Sequence, residues 1–96
     1  MGAYVLAVIN KKDLAKYQQY AEAGYASIQG YNPEITVAEP PEVLEGAYPG
    51  TTTVLMKFKD MEAAKAWYTS DLYQAAIPLR QASGETAFVI MFPSAD

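Results

Sequence analysis

The chain has 96 residues, of which 51% are hydrophobic and 19% charged, with a net charge of −4. It contains neither cysteine nor histidine, which excludes a disulfide framework, a thiolate nucleophile, an imidazole base and Cys- or His-ligated zinc or haem. The densest basic cluster is Lys11-Lys12, so neither nucleic acid nor an anionic membrane surface is an expected partner.

This composition is globular, and the length predicts one domain over residues 1–96. A chain of this size buries roughly 60–65% of the surface it exposes when unfolded, so a partner subunit would add useful burial. The opening MGAYVLAVIN lacks the basic region and longer apolar core of a signal peptide. Met1-Gly2 starts as a myristoylation signal does, but position 6 is Leu6. No apolar run approaches the length of a membrane span, and a soluble cytoplasmic protein is expected.

AYVLAVIN, residues 3–10, is a near-continuous apolar run of strand length, as in a strand covered on both faces. Tyr4, Leu6 and Val8 point one way, and Val5, Ala7 and Ile9 the other. Asn10 or Asp13 can cap the helix that follows. Leu14, Tyr17, Ala21, Tyr25 and Ile28 recur at spacings of three and four, which predicts a helical stripe with Tyr20 and Tyr31 off its centre. Gly30 marks the stop.

Pro33 precedes an extended stretch, EITVAE, that puts Ile35 and Val37 on one face. Pro40-Pro41 bars a regular central strand beyond it. EVLEG (42–46) is a short piece before the Ala47-Tyr48-Pro49-Gly50 turn. TTTVLMKF (51–58) reads as a second strand, with Val54, Met56 and Phe58 on one face and Leu55 and Lys57 on the other.

Asp60 caps the next helix, which has Glu62 in its first turn and Met61, Ala64, Trp67 and Tyr68 on its apolar face. Ser70 reads as a second cap, so the stretch from Asp60 to Arg80 is expected as two helices. Leu72, Tyr73, Ala76 and Ile77 form the second apolar face, and Pro78 is expected to kink or end it. Ser83-Gly84 closes the segment, and TAFVIMF (86–92) is the last long strand, closed by Pro93.

The order β, α, β, β, α, β is the α+β, ferredoxin-like βαββαβ plan with a four-stranded antiparallel sheet and helices on one face. The runs at 3–9 and 87–92 make the other face apolar too. A bare face of that size predicts a homodimer that buries sheet against sheet.

The chain resembles the domain of unknown function 1330 family. AYVLAVIN, Asp13 with Tyr17 and Tyr20, Tyr31, EVLEG, and Phe58 leading into EAAKAWYTSDLYQAAIPLR carry the resemblance over essentially the whole sequence. EVLEG, AWY-x-S-x-x-Y-Q and Pro78-Leu79-Arg80 are its most specific parts. The resemblance implies a dimeric α/β barrel. It places the chain beside cofactor-free monooxygenases, lactone isomerases, polyketide cyclases and haem-degrading enzymes. Where the family reads Tyr-Gly-Gly-Arg and then Arg-Gly-Gly, this chain reads Tyr31-Asn32-Pro33-Glu34 and Ala38-Glu39-Pro40, so a basic second strand has become acidic.

Two residues are candidates for catalysis. Arg80, the sole arginine, is suited to hold a carboxylate or enolate bidentately, or else to pair with Glu45. Glu45 is a candidate general base if burial raises its pKa, or the structural partner of Arg80. Tyr17, Tyr20, Asn32, Trp67 and Tyr73 are candidate ligand-binding residues, each with a packing or turn role as the alternative. Trp67 carries an indole N–H that needs a partner when buried. No metal motif, phosphate loop or dinucleotide fingerprint is present, and no cofactor is expected. Two functions fit. One is a small cofactor-free enzyme acting on a hydrophobic cyclic or aromatic molecule, of isomerase, cyclase or monooxygenase type. The other is a non-catalytic dimeric small-molecule-binding or stress-associated protein.

Overall fold

In a computed structural model, which describes residues 2–38 and 40–95, seven elements follow one another. They are β1 (Ala3–Lys11), α1 (Leu14–Ser27), β2 (Glu34–Ala38), β3 (Thr52–Phe58), α2 (Met61–Thr69), α3 (Asp71–Ser83) and β4 (Gly84–Pro93). Glu39, the last residue of the expected extended stretch, lies outside the described residues. The sheet order is β2-β3-β1-β4, with every neighbouring pair antiparallel. This is the ferredoxin-like arrangement, in which strands joined by helices are not adjacent.

Caps fix where the helices begin. Asp13 accepts from the Lys16 backbone N–H at 3.1 Å, and Asp60 from that of Ala63 at 2.7 Å. Ser70 ends α2 and starts α3: its backbone N–H donates to the Trp67 carbonyl, and its hydroxyl accepts from the Tyr73 N–H. Its extended backbone makes the break between the two helices. Pro78 does not end α3, which continues to Ser83; the cost is the backbone hydrogen bond that proline cannot donate.

The core lies between the sheet and the helices. Ala3 and Val5 of β1 and Met56 and Phe58 of β3 pack there against Ile28, Ala64, Trp67, Tyr73 and Ala76. Burying a large side chain such as Phe58 contributes about 1.5–3 kcal/mol. The expected stripe on α1 is rotated. Leu14 and Tyr25 are 72% and 67% exposed, whereas Tyr20, Ala23 and Ser27 face inward. Periodicity alone could not choose between two neighbouring stripes, because small residues fill the inward one. On α3, Leu72 is exposed in the same way, and the buried face is Tyr73, Ala76 and Arg80.

The outer face of the sheet carries apolar rows. Tyr4 stands opposite Lys57 and Phe92, Leu6 opposite Leu55 and Ile90, and Val8 opposite Thr53 and Phe88. The chain from Tyr48 to Thr51 folds over one end of this face. The Tyr48 hydroxyl meets the Thr53 hydroxyl at 2.8 Å, and a Cβ on Gly50 would sit 2.7 Å from Val8.

Register breaks once. Val8 pairs with Phe88 but Ile9 with Thr86, so Ala87 is an extra residue in β4. A bulge of this kind moves the preceding side chain to the opposite face. Thr86 therefore points toward the helices, although Phe88, two residues later, points outward.

Two glycines have opposite requirements. A Cβ on Gly84 would lie 2.0 Å from the Asn10 carbonyl oxygen, a backbone atom that cannot retreat, whereas at Gly24, inside α1, the nearest atom is 3.9 Å away. Gly84→Ala is expected to lower the unfolding free energy by about 1–3 kcal/mol, and Gly24→Ala to raise it by about 0.5–1 kcal/mol. Urea unfolding midpoints check both.

Candidate functional site

A cleft of about 190 Å³ opens between α1, the β2–β3 side of the sheet and the α2–α3 corner. Its apolar wall comes from Ile28, Ile35, Val54 and Met56, and its aromatic wall from Tyr17, Tyr20, Trp67 and Tyr73. The break at Ser70 makes the aromatic wall. With α2 and α3 meeting there, the Trp67 and Tyr73 rings lie 4.1 Å apart at 40°. Phe58 supports the indole from the sheet at 5.3 Å. Such tilted pairs add about 0.5–1.5 kcal/mol beyond their buried area.

The polar atoms of this corner form two sets. In the first, the Trp67 indole N–H donates to the Ser27 hydroxyl at 3.0 Å, and that hydroxyl donates to the Gly24 carbonyl at 2.6 Å. The indole proton is thus used within the protein and is not offered to a ligand. Ser27 had no motif to mark it, and it lay outside the expected stripe on α1.

In the second, Arg80 Nη1 donates to the Tyr73 hydroxyl at 2.8 Å and Nε to the Thr86 hydroxyl at 3.1 Å. The Tyr73 and Tyr20 hydroxyls lie 2.9 Å apart, and the guanidinium sits 6.0 Å from the Tyr20 ring centroid. Arg80 is only 5% exposed. It has no carboxylate partner among the described residues. Its charge is compensated by hydroxyl oxygens, an aromatic face and the carbonyl end of α3, whose last turn it occupies. Thr86 was not singled out in the sequence, because the bulge that turns it inward has no local signature.

These contacts shape protonation. Burial holds the Tyr73 phenol well above its ordinary range, the neighbouring Tyr20 raises it further, and Arg80 opposes both. Tyr17 is shifted upward in the same order: burial, Tyr20, and Arg80 in opposition. The Tyr17 and Tyr73 hydroxyls are therefore neutral hydrogen-bonding groups, not bases.

Of the seven residues expected at a site, the fold brings five together: Tyr17, Tyr20, Trp67, Tyr73 and Arg80. Asn32 lies elsewhere, in an open groove beside Gly30 and Asp60, with a left-handed φ of 49°; it serves a turn. Glu45 sits in an exposed loop with Leu44, which is 86% exposed. The Arg80–Glu45 pair is not formed, since Arg80 is buried on the helix side of the sheet while Glu45 faces solvent. Among the described residues, no group of three or more acids is placed to hold a metal ion, and no helix is long and apolar enough to cross a membrane.

A four-stranded antiparallel sheet with all helices on one face, and a cleft between the two layers, defines a ferredoxin-like α+β protein. The chain belongs to the family described as Domain of unknown function (DUF1330), whose model matches residues 2–93. Similar solved structures include a dimeric ferredoxin-like protein of unknown function from Jannaschia sp. CCS1, 17% identical over 98% of this chain and 100% of that one, with a TM-score of 0.72. An ethyl tert-butyl ether d (ethd) family protein from Bacillus halodurans is 12% identical over 98% of this chain and 99% of its own, with a TM-score of 0.69. SnoaB, a cofactor-independent oxygenase from Streptomyces nogalater, is 9% identical over 99% and 93%, also with a TM-score of 0.69. No curated protein matches the sequence.

Two outcomes follow from the polar contacts. Ser27→Ala leaves the buried indole N–H unpaired and is expected to cost about 1–3 kcal/mol, measured by chemical denaturation followed by the fluorescence of Trp67. Tyr73→Phe removes an acceptor from Arg80 and is expected to cost a similar amount at neutral pH. An unfolded tyrosine loses its proton near 10.0, and the folded Tyr73 only at higher pH. The folded state therefore holds more protons above that point, and the stability linked to Tyr73 is complete below about pH 10 and declines as pH rises. The wild-type advantage over Tyr73→Phe should narrow above pH 10 in unfolding curves taken across that range.

Proposed function

We propose that this chain is a homodimeric protein whose cleft binds a hydrophobic cyclic or aromatic small molecule, and that it acts on that molecule as a cofactor-free enzyme of isomerase, cyclase or oxygenase type. The observation that carries this reading is the half-open cleft walled by aliphatic and aromatic side chains, with hydroxyls at one corner backed by Arg80. An apolar cavity of roughly 150 Å³ accepts benzene, so about 190 Å³ suits one substituted ring or a compact two-ring compound. Likeness in fold to a cofactor-independent oxygenase supports the enzymatic reading as analogy. In such chemistry the protein contributes binding, orientation and exclusion of water.

A specific observation favours the second reading, a non-catalytic binding protein. Among the described residues no carboxylate lines the cleft, and the Tyr17 and Tyr73 phenols are held protonated, so the wall offers hydroxyl donors and no carboxylate base. Glu45 takes no part in either reading within one protomer.

Association of two copies is supported by the outer sheet face, where Phe88, Ile90 and Phe92 are exposed, and by the similar structures described as dimeric. Such rows of apolar side chains need a cover, and a second copy supplies the same rows.

Nitrobenzene tests the cleft. Trp67 is the only tryptophan and lines the cavity, so saturable quenching of its emission is expected, and Ala21→Leu, which fills the cavity from its wall, should weaken it. Quenching that never saturates would sink the ligand-binding reading. Light scattering should give a mass of twice 10.5 kDa, reduced to a monomer by Ile90→Asp.

A further inference from the structure

The hydroxyl row at the cleft has a direction. Arg80 can only donate, so its 2.8 Å contact makes the Tyr73 oxygen an acceptor. The contact between Tyr73 and Tyr20 at 2.9 Å can run either way. If Tyr20 donated, Tyr73 would accept twice, and its own proton would have no acceptor among the described residues. Tyr73 is 2% exposed, and a buried unpaired O–H is costly. The arrangement that leaves no orphan is Arg80 to Tyr73 to Tyr20. It uses the Tyr20 oxygen as acceptor and leaves the Tyr20 proton free. Tyr20 is half-buried and lines the cavity, so a ligand in the cleft can accept a hydrogen bond from it.

Arg80 itself does not line the cavity. Its charge reaches a ligand only through two phenols, each polarised by the one behind it. Of the other groups near this corner, Lys11 adds positive charge, Tyr17 is neutral, and Thr86 accepts one of the Arg80 hydrogen bonds. Tyr17, on α1, is a protonated phenol 5.6 Å from the Tyr20 ring. Lys11, on β1, lies 4.6 Å from the Tyr17 ring centroid. Thr86, on β4, accepts from Arg80. Among the described residues no carboxylate lines the cleft to oppose it.

We propose that the Tyr20 hydroxyl is the ligand-contacting donor of this cleft, that Tyr73 and Arg80 are positioning residues that polarise it, and that the relay selects a ring compound bearing an oxyanion, a phenolate or enolate, over its neutral form. The proposal rests on the ligand-binding reading above and names the ligand class within it. It differs from direct capture of an anion by the guanidinium, because Tyr73 stands between the two.

The probe is 4-nitrophenol, whose visible absorption separates phenolate from phenol, with nitrobenzene as a ring of similar size that has no ionisable oxygen. On the intact protein, bound 4-nitrophenol should be enriched in phenolate relative to the free probe at the same pH. Tyr20→Phe should weaken phenolate binding by about tenfold, the value of a hydrogen bond to a charged group, while nitrobenzene binding is retained. Tyr73→Phe and Arg80→Lys should reduce the enrichment although neither residue donates a hydrogen bond to the probe, and Arg80 does not line the cavity. A merely structural role would change stability and leave the spectrum of the bound probe as it was. Nitrobenzene that binds beside 4-nitrophenol showing no enrichment, or enrichment that survives Tyr20→Phe, overturns the relay and leaves the cleft reading standing. Failure of both probes to bind overturns the two together.

Discussion

A buried guanidinium with no carboxylate partner among the described residues is the constraint on which this fold's interior depends. Taking a charge out of water costs several kcal/mol unless other groups replace the lost hydration. Around Arg80 that replacement comes from four groups on three elements: the Tyr73 phenol and the carbonyl end of α3, the Tyr20 ring on α1, and the Thr86 hydroxyl on β4. The backbone connects the same corner. The Ser83 carbonyl at the end of α3 accepts from Lys12 and Asp13, both at 2.9 Å, just where α1 begins. The end of one helix and the start of the other are therefore tied by peptide groups on the outside and by side chains on the inside.

This explains why the aromatic wall is where it is. Tyr73 must face Arg80 and also pack on Trp67, and only a helix that starts afresh at Ser70 can direct it to both. A continuous helix from Asp60 would carry Trp67 and Tyr73, six residues apart, to different faces. The cap at Ser70 is thus a local interaction with a distant effect, since it sets the angle between two rings that wall the cleft.

Much of the fold was legible in the sequence, because strand alternation, caps and proline placement are local. Asp13, Asp60 and Ser70 each cap where their side-chain chemistry predicts, and Val54, Met56 and Phe58 share the buried face. The inward side of α1 was legible in part: Ile28 reaches the core and Tyr17 and Ala21 the cleft, but Leu14 and Tyr25 are exposed, because the close approach to Trp67 selects the smaller Ala23 and Ser27. At the site, Tyr17, Tyr20, Trp67, Tyr73 and Arg80 came from helix faces whose relative placement the fold plan already implied. Glu45 and Asn32 came from loops, whose course depends on tertiary contacts. Thr86 was invisible, because a one-residue bulge leaves no trace in the local pattern.

That bulge has a mechanical consequence. It divides β4 into two segments of opposite polarity, a short one that anchors Arg80 and a long one that presents Phe88, Ile90 and Phe92 to the outside. A single strand is therefore the common beam between the molecule's outer surface and its interior charge. The long segment and the hydroxyl that holds the guanidinium are thus carried by one strand, paired to β1 on both sides of the bulge. The same ten residues that make the exposed apolar row also hold the buried cation.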